Sequence, residues 1–126
     1  MSNSRMPVVY VAGPYRGLNR DAVELNIQVA RAVGLEAVRK GWSPLIPHAN
    51  SGHLDALINL PDQFWLDATL ELMRRCDAVV LCPGWARSAG TEGEIREARR
   101  IGLPIYANDN DLPTAERFLE KYRIAG

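Results

Sequence analysis

Four short apolar runs, each followed by a segment with helical spacing, most restrict what this sequence can fold into. The runs lie at residues 7–13, 42–47, 77–83 and 103–107. Glycine, proline or polar residues bound them, as is typical of buried strands. Such alternation predicts an α/β domain in which helices cover both faces of a parallel sheet. We expect a flavodoxin-like three-layer sandwich with four to five strands in the order 2-1-3-4.

The segments between the runs have the periodicity of amphipathic helices. In the first helix the apolar residues recur every three or four positions, and Gly41 ends the pattern. Pro113 falls in the first turn of the last helix, where proline is well tolerated. Residues 48–61 lack a clear period and are predicted to be a long loop with room for a helical turn. The predicted helices cover residues 21–40, 62–76, 91–101 and 112–123.

Size and charge exclude several classes of protein. The 126 residues fit a single domain spanning residues 1–126, and 15 basic residues balance 15 acidic ones, so no basic surface for nucleic acid is expected. No apolar run reaches the roughly 20 residues of a membrane span, and the N-terminal residues lack the apolar stretch of a signal peptide. Cys76 and Cys82 are too few for a secreted disulfide scaffold. We expect reduced thiols in a cytoplasmic protein without membrane or nucleic-acid partners.

Metal-ligating side chains are few. The two histidines are His48 and His53, and no CxxC or HxxxH pair occurs. A dedicated metal centre needs several such ligands at close spacing. We therefore expect neither a metal nor another cofactor.

The predicted strand order indicates where a ligand would bind. In open parallel sheets the site lies beyond the carboxyl ends of the strands where the order reverses, here between the first and third strands. The loops at that end, residues 13–20, 47–61 and 83–91, also hold the most unusual residues of the chain. The candidate site is therefore sought in these loops.

The loop "GPYRG" after the first strand is a candidate for binding an anion. Its glycines, Gly13 and Gly17, allow close approach of the backbone, and the Arg16 guanidinium matches phosphate geometry. The spacing fits neither a dinucleotide-binding motif nor a P-loop. A simple chain turn at Gly13 and Pro14 explains the pattern equally well.

Three polar residues in neighbouring segments are further candidates. His48 and Asn50 directly follow the second strand, where a role in shaping a pocket competes with ordinary packing. Asp67 lies three residues from both Phe64 and Leu70, so it borders the apolar stripe of its helix. For Asp67 a site role and a solvent-exposed role are both open.

Glu94 has two competing interpretations. With Thr91 as N-cap, Thr91 and Glu94 fit the S/T-x-x-E capping box, and a cap contributes roughly 1 kcal/mol. Alternatively, Glu94 shares a helical stripe with Ala98 and Ile101, which would turn its carboxylate inward over the sheet edge. An inward carboxylate beside a cleft suits a nucleophile or base. Spacing alone leaves both interpretations open.

An ordered set of motifs resembles the nucleoside 2-deoxyribosyltransferase-like superfamily. The similarity runs from about residue 8 to 107 and is greatest to a small bacterial and phage branch of unknown function. That branch carries G-W-x-x-S-x-G-x-x-x-E after its third strand. The motifs in this chain are "VYVAGPYRG", "GWSPLIPHAN", "CDAVVLCPGWARSAGTEGEIREA" and "GLPIY".

The resemblance implies a reaction at an N-glycosidic bond. In the superfamily a Glu carboxylate attacks the anomeric carbon of a ribosyl or deoxyribosyl group and expels the base. The glycosyl-enzyme is then resolved by a second base or by water. The pattern G-T-x-x-E assigns the nucleophile to Glu94. By the same resemblance Tyr10 holds this carboxylate, and Asp67 binds or protonates the departing base.

The resemblance also implies how a small-molecule nucleoside or nucleotide binds. Ser88 and the loop after the first strand would face the sugar or its 5′-phosphate, and Trp85 would stack on the base or roof the pocket. Known members are oligomers, which implies a homodimer or larger homo-oligomer. The implied substrate-binding residues are Gly13, Pro14, Tyr15, Arg16, Gly17, His48, Asn50, Trp85, Ser88 and Gly90.

One departure from the superfamily supports an alternative. Superfamily enzymes often carry a small pair such as Gly-Tyr after the nucleophile, where this chain has Ile95, Arg96 and Glu97. The alternative is a non-catalytic module that binds or senses a nucleotide or nucleotide-sugar on the same fold.

Overall fold

Strands and helices alternate along the chain in the predicted order. The computed structural model describes residues 5–51 and 54–122. The strands are β1 (Val8–Ala12), β2 (Ser43–Leu45), β3 (Ala78–Leu81) and β4 (Ile105–Tyr106). The helices are α1 (Arg20–Arg39), α2 (Pro47–Ser51), α3 (Asp62–Met73), α4 (Ala89–Ile101) and α5 (Ala115–Tyr122), with short 3₁₀ turns at Leu54–Ala56 and Trp85–Arg87.

The strands form one parallel sheet in the order β2-β1-β3-β4, which confirms the predicted topology. Tyr10 on β1 is in register with Leu45 on β2 and with Val79 on β3. Helices cover both faces of the sheet, as in a flavodoxin-like sandwich. The order reverses between β1 and β3, and this is where a cleft opens at the carboxyl ends of the strands.

The core consists of two clusters, one on each face of the sheet. Alternate residues of the strands point to opposite faces, so Val9 and Val11 pack against α1 and α5, including Phe118. Tyr10 and its neighbours on the other face pack against α3 and α4, including Met73. Fully burying a large apolar side chain contributes about 1.5–3 kcal/mol. Both faces of β3 are therefore buried, as its unbroken apolar run predicts.

The start of α4 differs from the prediction. The helix begins at Ala89, and its N-cap is Ser88, whose Oγ accepts a hydrogen bond from the backbone N–H of Thr91 at 3.2 Å. Thr91 is therefore inside the first turn and buried. The prediction of Thr91 as the cap was wrong, because Ser88 precedes it and serine is the more favourable capping residue. A capping box would then need Glu or Gln at position 91, so Glu94 has no capping role.

The start of α5 also lies later than predicted. The helix begins at Ala115, where the Thr114 Oγ accepts from the backbone N–H of Arg117 at 3.3 Å. Pro113 precedes the helix, and its carbonyl accepts a hydrogen bond from Trp42 Nε1 at 2.8 Å. This contact with the buried Trp42 side chain holds the segment in place before the helix starts.

The predicted loop over residues 48–61 contains more helix than expected. Its beginning belongs to α2, and a 3₁₀ turn follows at Leu54–Ala56. His48 and Asn50 therefore lie on a short helix directly after β2. Residues 52 and 53 are outside the described part of the chain. Within the part that is described, no helix has the length and apolar character needed to cross a membrane.

Candidate active site

A cavity of about 560 Å³ opens beyond the carboxyl ends of β1 and β3. Its walls are the loop after β1, the start of α2, the first half of α3 and the beginning of α4. The volume lies within the range of small-molecule sites, roughly 300–1,000 Å³. The loops after the first three strands therefore meet at one cavity, as predicted.

Glu94 lies at the bottom of this cavity. It is only 7% exposed, and its carboxylate accepts a hydrogen bond from the hydroxyl of Tyr10 on β1. Burial raises the pKa of Glu94 to about 7, while the Tyr10 hydrogen bond acts in the opposite direction. Desolvation disfavours the charged form, so the carboxylate is held in a state more basic than that of an ordinary glutamate.

Tyr10 is fully buried behind Glu94. Burial, followed by the charge of Glu94, raises the pKa of the phenol well above its usual value, so Tyr10 stays a hydrogen-bond donor. Thr69 on α3 also reaches the Tyr10 hydroxyl and lines the cavity. β1, α3 and α4 together therefore fix the position of the Glu94 carboxylate.

The loop after β1 is held tightly against its neighbours. A Cβ at Gly13 would come within 2.5 Å of the Cys82 Cβ, so only glycine allows this close approach to the residue after β3. The Asn26 side chain on α1 donates to the carbonyls of Tyr15 and Arg16, each at 3.1 Å. These contacts hold the wall of the cavity against β3 and α1 at this point.

His48 anchors the same loop from α2. Its Nε2 lies 3.0 Å from the Gly13 carbonyl and 2.8 Å from the Pro14 carbonyl, so Nε2 carries the proton and donates. Burial lowers the pKa of His48, which keeps the ring neutral. The other ring nitrogen is buried and has no partner among the described residues. His48 lines the cavity and holds the β1 loop, so it both packs and contributes to the shape of the pocket.

Two arginines give the mouth of the cavity its charge. Arg16 lies on the β1 loop and forms an ion pair with Asp62 at 2.6 Å, and both side chains are largely exposed. Arg87 lies in the turn before α4 and also lines the cavity. Guanidinium groups match the geometry of phosphate and carboxylate.

Comparison with protein families finds a family that matches most of the chain. The family described as "Domain of unknown function (DUF7768)" matches residues 7–108. The chain belongs to the DUF7768 family. A search of curated proteins finds no match. The DUF7768 match runs from β1 to β4 and includes every residue that lines the cavity, whereas α5 lies outside it.

The DUF7768 domain brings most of the predicted site residues together. Tyr10 lies directly behind the cavity as the partner of Glu94. The predicted residues that line the cavity are Gly13, Pro14, Tyr15, Arg16, His48, Ser88, Gly90 and Glu94.

Four predicted residues lie elsewhere in the DUF7768 domain. Gly17 packs against Ala22 at the start of α1, and Asn50 is exposed on α2. Trp85 is partly buried and packs on the core cluster beneath α4, so it neither roofs the cavity nor lines it. Asp67 is exposed and its carboxylate accepts from Gln63 Nε2 at 2.7 Å.

The position of Asp67 follows from the phase of α3. Successive residues of a helix turn by about 100°, and Leu66 and Thr69 face the cavity, which places Asp67 away from it. The sequence interpretation placed Asp67 at the border of the apolar stripe that contains Phe64 and Leu70. In the structure Met73 is buried in the core, while the first half of α3 faces the cavity.

The sequence interpretation missed the α3 wall of the DUF7768 cavity. The signal was present, because the wall has the spacing i, i+3, i+4 and i+7 of one helical face. Trp65, and not Trp85, is the tryptophan that lines the cavity. The cavity residues of α3 are Asp62, Gln63, Trp65, Leu66 and Thr69.

Proposed function

We propose that the protein cleaves or transfers the N-glycosidic bond of a nucleoside or nucleoside 5′-phosphate through a covalent intermediate on Glu94. The observation that carries the proposal is the buried Glu94 carboxylate at the bottom of the cavity, with Tyr10 as its hydrogen-bond partner. Among the described residues Glu94 is the one buried carboxylate. Burying a carboxylate without a cation beside it costs stability, which a functional role explains.

In each step of the proposed reaction, one bond to the anomeric carbon forms and another breaks. A Glu94 carboxylate oxygen forms a bond to the anomeric carbon while the bond from that carbon to the base nitrogen breaks, and its electron pair leaves with the base. The departing base takes a proton from water in the open cavity. Attack of water on the anomeric carbon then releases the sugar and restores the carboxylate, whereas attack by a second base gives transfer.

Tyr10 has a positioning role in this reaction. Its hydroxyl fixes one carboxylate oxygen, which leaves the other free to face the anomeric carbon. The hydrogen bond also lowers the pKa of Glu94 against the effect of burial. More of the enzyme is therefore in the ionised, nucleophilic form at neutral pH.

The cationic groups at the mouth support a substrate with a 5′-phosphate. Arg16 and Arg87 lie on the loops after β1 and β3, which are adjacent because these strands pair. The start of α4 contributes the positive end of a helix dipole on the same side. A phosphate would displace Asp62 from Arg16.

The test is base release from a panel of nucleosides and 5′-nucleotides by the purified protein and by Glu94→Gln. We expect release from at least one of them and a loss of at least about 10³-fold on substitution. The matched control is Glu92→Gln, an exposed carboxylate in the first turn of the same helix, which keeps full activity. Mass spectrometry of a stalled reaction locates the sugar on Glu94. No release or exchange of any base at high protein concentration rejects the proposal.

A second candidate function is binding without turnover of a nucleotide or nucleotide-sugar. The position of Asp67 outside the cavity favours it, because the acid expected to protonate the departing base is missing there. This candidate predicts ligand-induced thermal stabilisation without base release, and binding that survives Glu94→Gln. If no nucleotide shifts the melting temperature, it fails.

We also propose that the protein acts in the cytoplasm as a homo-oligomer. Cys76 and Cys82 are both free and buried, in keeping with a reducing compartment. Large apolar side chains are exposed on the surface, among them Leu18 and Leu57. Light scattering of the purified protein measures the oligomeric state, and a monomer at micromolar concentration contradicts this proposal.

A further inference from the structure

Two side chains on the α3 wall of the cavity take no part in the reaction at Glu94. These are Gln63 and Trp65. The Trp65 ring is supported by Phe64, with ring centroids 5.2 Å apart and planes at 89°. An indole ring beside a carboxamide suits a heteroaromatic base, because the ring stacks on its face and the amide hydrogen-bonds to its edge.

Asp67 controls the orientation of that amide. It lies outside the cavity, and its carboxylate accepts a hydrogen bond from Gln63 Nε2 at 2.7 Å. The amide nitrogen is the donor in this bond and the carboxylate oxygen the acceptor, so the nitrogen of the Gln63 amide faces Asp67. The carbonyl oxygen of Gln63 then points away from Asp67. Without this bond a terminal amide is free to turn over, since its last torsion is broad.

On the basis of the proposed function, we propose that Gln63 and Trp65 form the base subsite, with Asp67 as a positioning residue that makes it selective for bases carrying an amino group. The Gln63 carbonyl oxygen accepts from the exocyclic amino group of adenine or cytosine. Hypoxanthine and uracil place a carbonyl oxygen at the same position, which leaves two acceptors facing each other. An unpaired acceptor of this kind discriminates against the wrong base.

Binding of matched ligands to the Glu94→Gln protein tests this proposal independently of turnover. The probes are the 5′-monophosphates of adenosine, inosine, cytidine and uridine, with dissociation constants from calorimetry. We expect the amino member of each pair to bind about tenfold more tightly than the oxo member. Adding Gln63→Ala or Asp67→Ala brings the ratio close to one. The combined variant shows no further change, because both residues act through one contact.

Two further variants separate this role from a structural one. Glu71→Gln changes another exposed carboxylate on α3, which pairs with Arg75 at 3.0 Å, and it keeps the tenfold ratio. Trp65→Ala weakens all four probes to a similar extent, because stacking does not depend on the amino group.

Each other outcome overturns a defined part of the proposal. A ratio that falls with Gln63→Ala but survives Asp67→Ala removes the positioning role of Asp67. A ratio unchanged by both removes the base subsite, and Glu94-dependent base release seen alongside it leaves the proposed function standing. Binding of none of the four probes overturns this inference and the nucleotide-binding part of the proposed function together.

Discussion

Two glutamates on α4 lie in environments that shift their pKa values in opposite directions. Glu94 faces the cavity, with a tyrosine as its hydrogen-bond partner and a pKa raised by burial to about 7. Glu97, one turn later, faces the contact with α3, where Arg100 and Arg74 lower its pKa to about 2. The same side chain is thus a permanent anion in a structural contact and a titrating group in the cavity. The neighbours that each helical face meets, and not the residue type, decide between the two.

Replacing Tyr10 by Phe is expected to increase the difference between the pKa values of Glu94 and Glu97 and to have the largest effect on activity among the following variants. The variant removes the hydrogen bond that lowers the pKa of Glu94, so its pKa rises further above about 7. Base release at pH 7 falls by about 10- to 100-fold, and part of the loss is recovered at pH 9 as Glu94 ionises. The measurement is the pH profile of kcat/KM.

The control for Tyr10→Phe is Tyr106→Phe on the edge strand. The Tyr106 hydroxyl bonds to Tyr122, away from the cavity, so this profile stays that of the wild type. A Tyr10→Phe profile with an unmoved midpoint contradicts the role given to the hydroxyl.

The next largest effect is that of Glu94 on stability. It distinguishes a buried catalytic carboxylate from one that caps the helix. The pKa of Glu94 is about 7 in the folded state against 4.5 for the free side chain, a difference of about 2.5 units. At about 1.36 kcal/mol per unit, ionising Glu94 lowers the free energy of unfolding by about 3 kcal/mol. The loss is absent below pH 4.5, grows as the unfolded chain ionises first, and is complete above about pH 7.

Glu94→Gln therefore stabilises the protein at pH 8 by up to about 3 kcal/mol and has little effect at pH 4. A capping role predicts the reverse, a loss of roughly 1 kcal/mol. Urea unfolding at both pH values, with Glu92→Gln as control, measures the difference. If Glu94→Gln is less stable than the wild type at pH 8, Glu94 is not a buried carboxylate without a capping role.

A smaller effect is expected at the cap itself. Ser88→Ala removes the side-chain oxygen that binds the N–H of Thr91 and costs about 1 kcal/mol of stability. Thr91 also donates its hydroxyl to the Ser88 oxygen at 2.9 Å, so the variant leaves a buried hydroxyl without this partner. Chemical unfolding of Ser88→Ala and Ser88→Thr is the measurement, and Ser88→Thr restores most of the loss. An unchanged stability in Ser88→Ala shows that another residue starts the helix.

Whether a feature of the fold or of the site can be predicted from the sequence depends on how many residues determine it. The sheet and its order follow from the periodicity of whole segments, and these predictions were confirmed. Spacing alone left the direction of Glu94 open. Ala98 of its stripe is buried, as the inward interpretation requires, whereas Ile101 is 36% exposed. The sheet order depends on many residues together, so a local error does not change it.

The incorrect predictions concern features set by a single competing contact. Ser88 and Thr91 are both favourable caps, and the chain path after β3 places Ser88 at the cap position. Trp65 and Trp85 are both plausible partners of a base, and their different surroundings arise from tertiary packing. A phase error in α3 gave Asp67 the position that Thr69 takes. The helical spacing of the α3 wall was a signal for Trp65 and Thr69, whereas the start of α4 is set by the path of the chain after β3.

The smallest effect is expected on the α3 side of α4. Glu97→Gln removes bonds to Arg74 Nε at 2.8 Å and to Arg100 Nε at 2.6 Å. Because the folded pKa of Glu97 is lowered, the stabilisation is present above the unfolded value of 4.5 and is lost as the pH falls through about 2. We expect a small fall in melting temperature at pH 7 that salt reduces, since exposed ion pairs are screened. Activity stays that of the wild type, because Glu97 is outside the cavity. Loss of base release in Glu97→Gln, measured beside Glu94→Gln, breaks the division of α4 into a structural side and a chemical side.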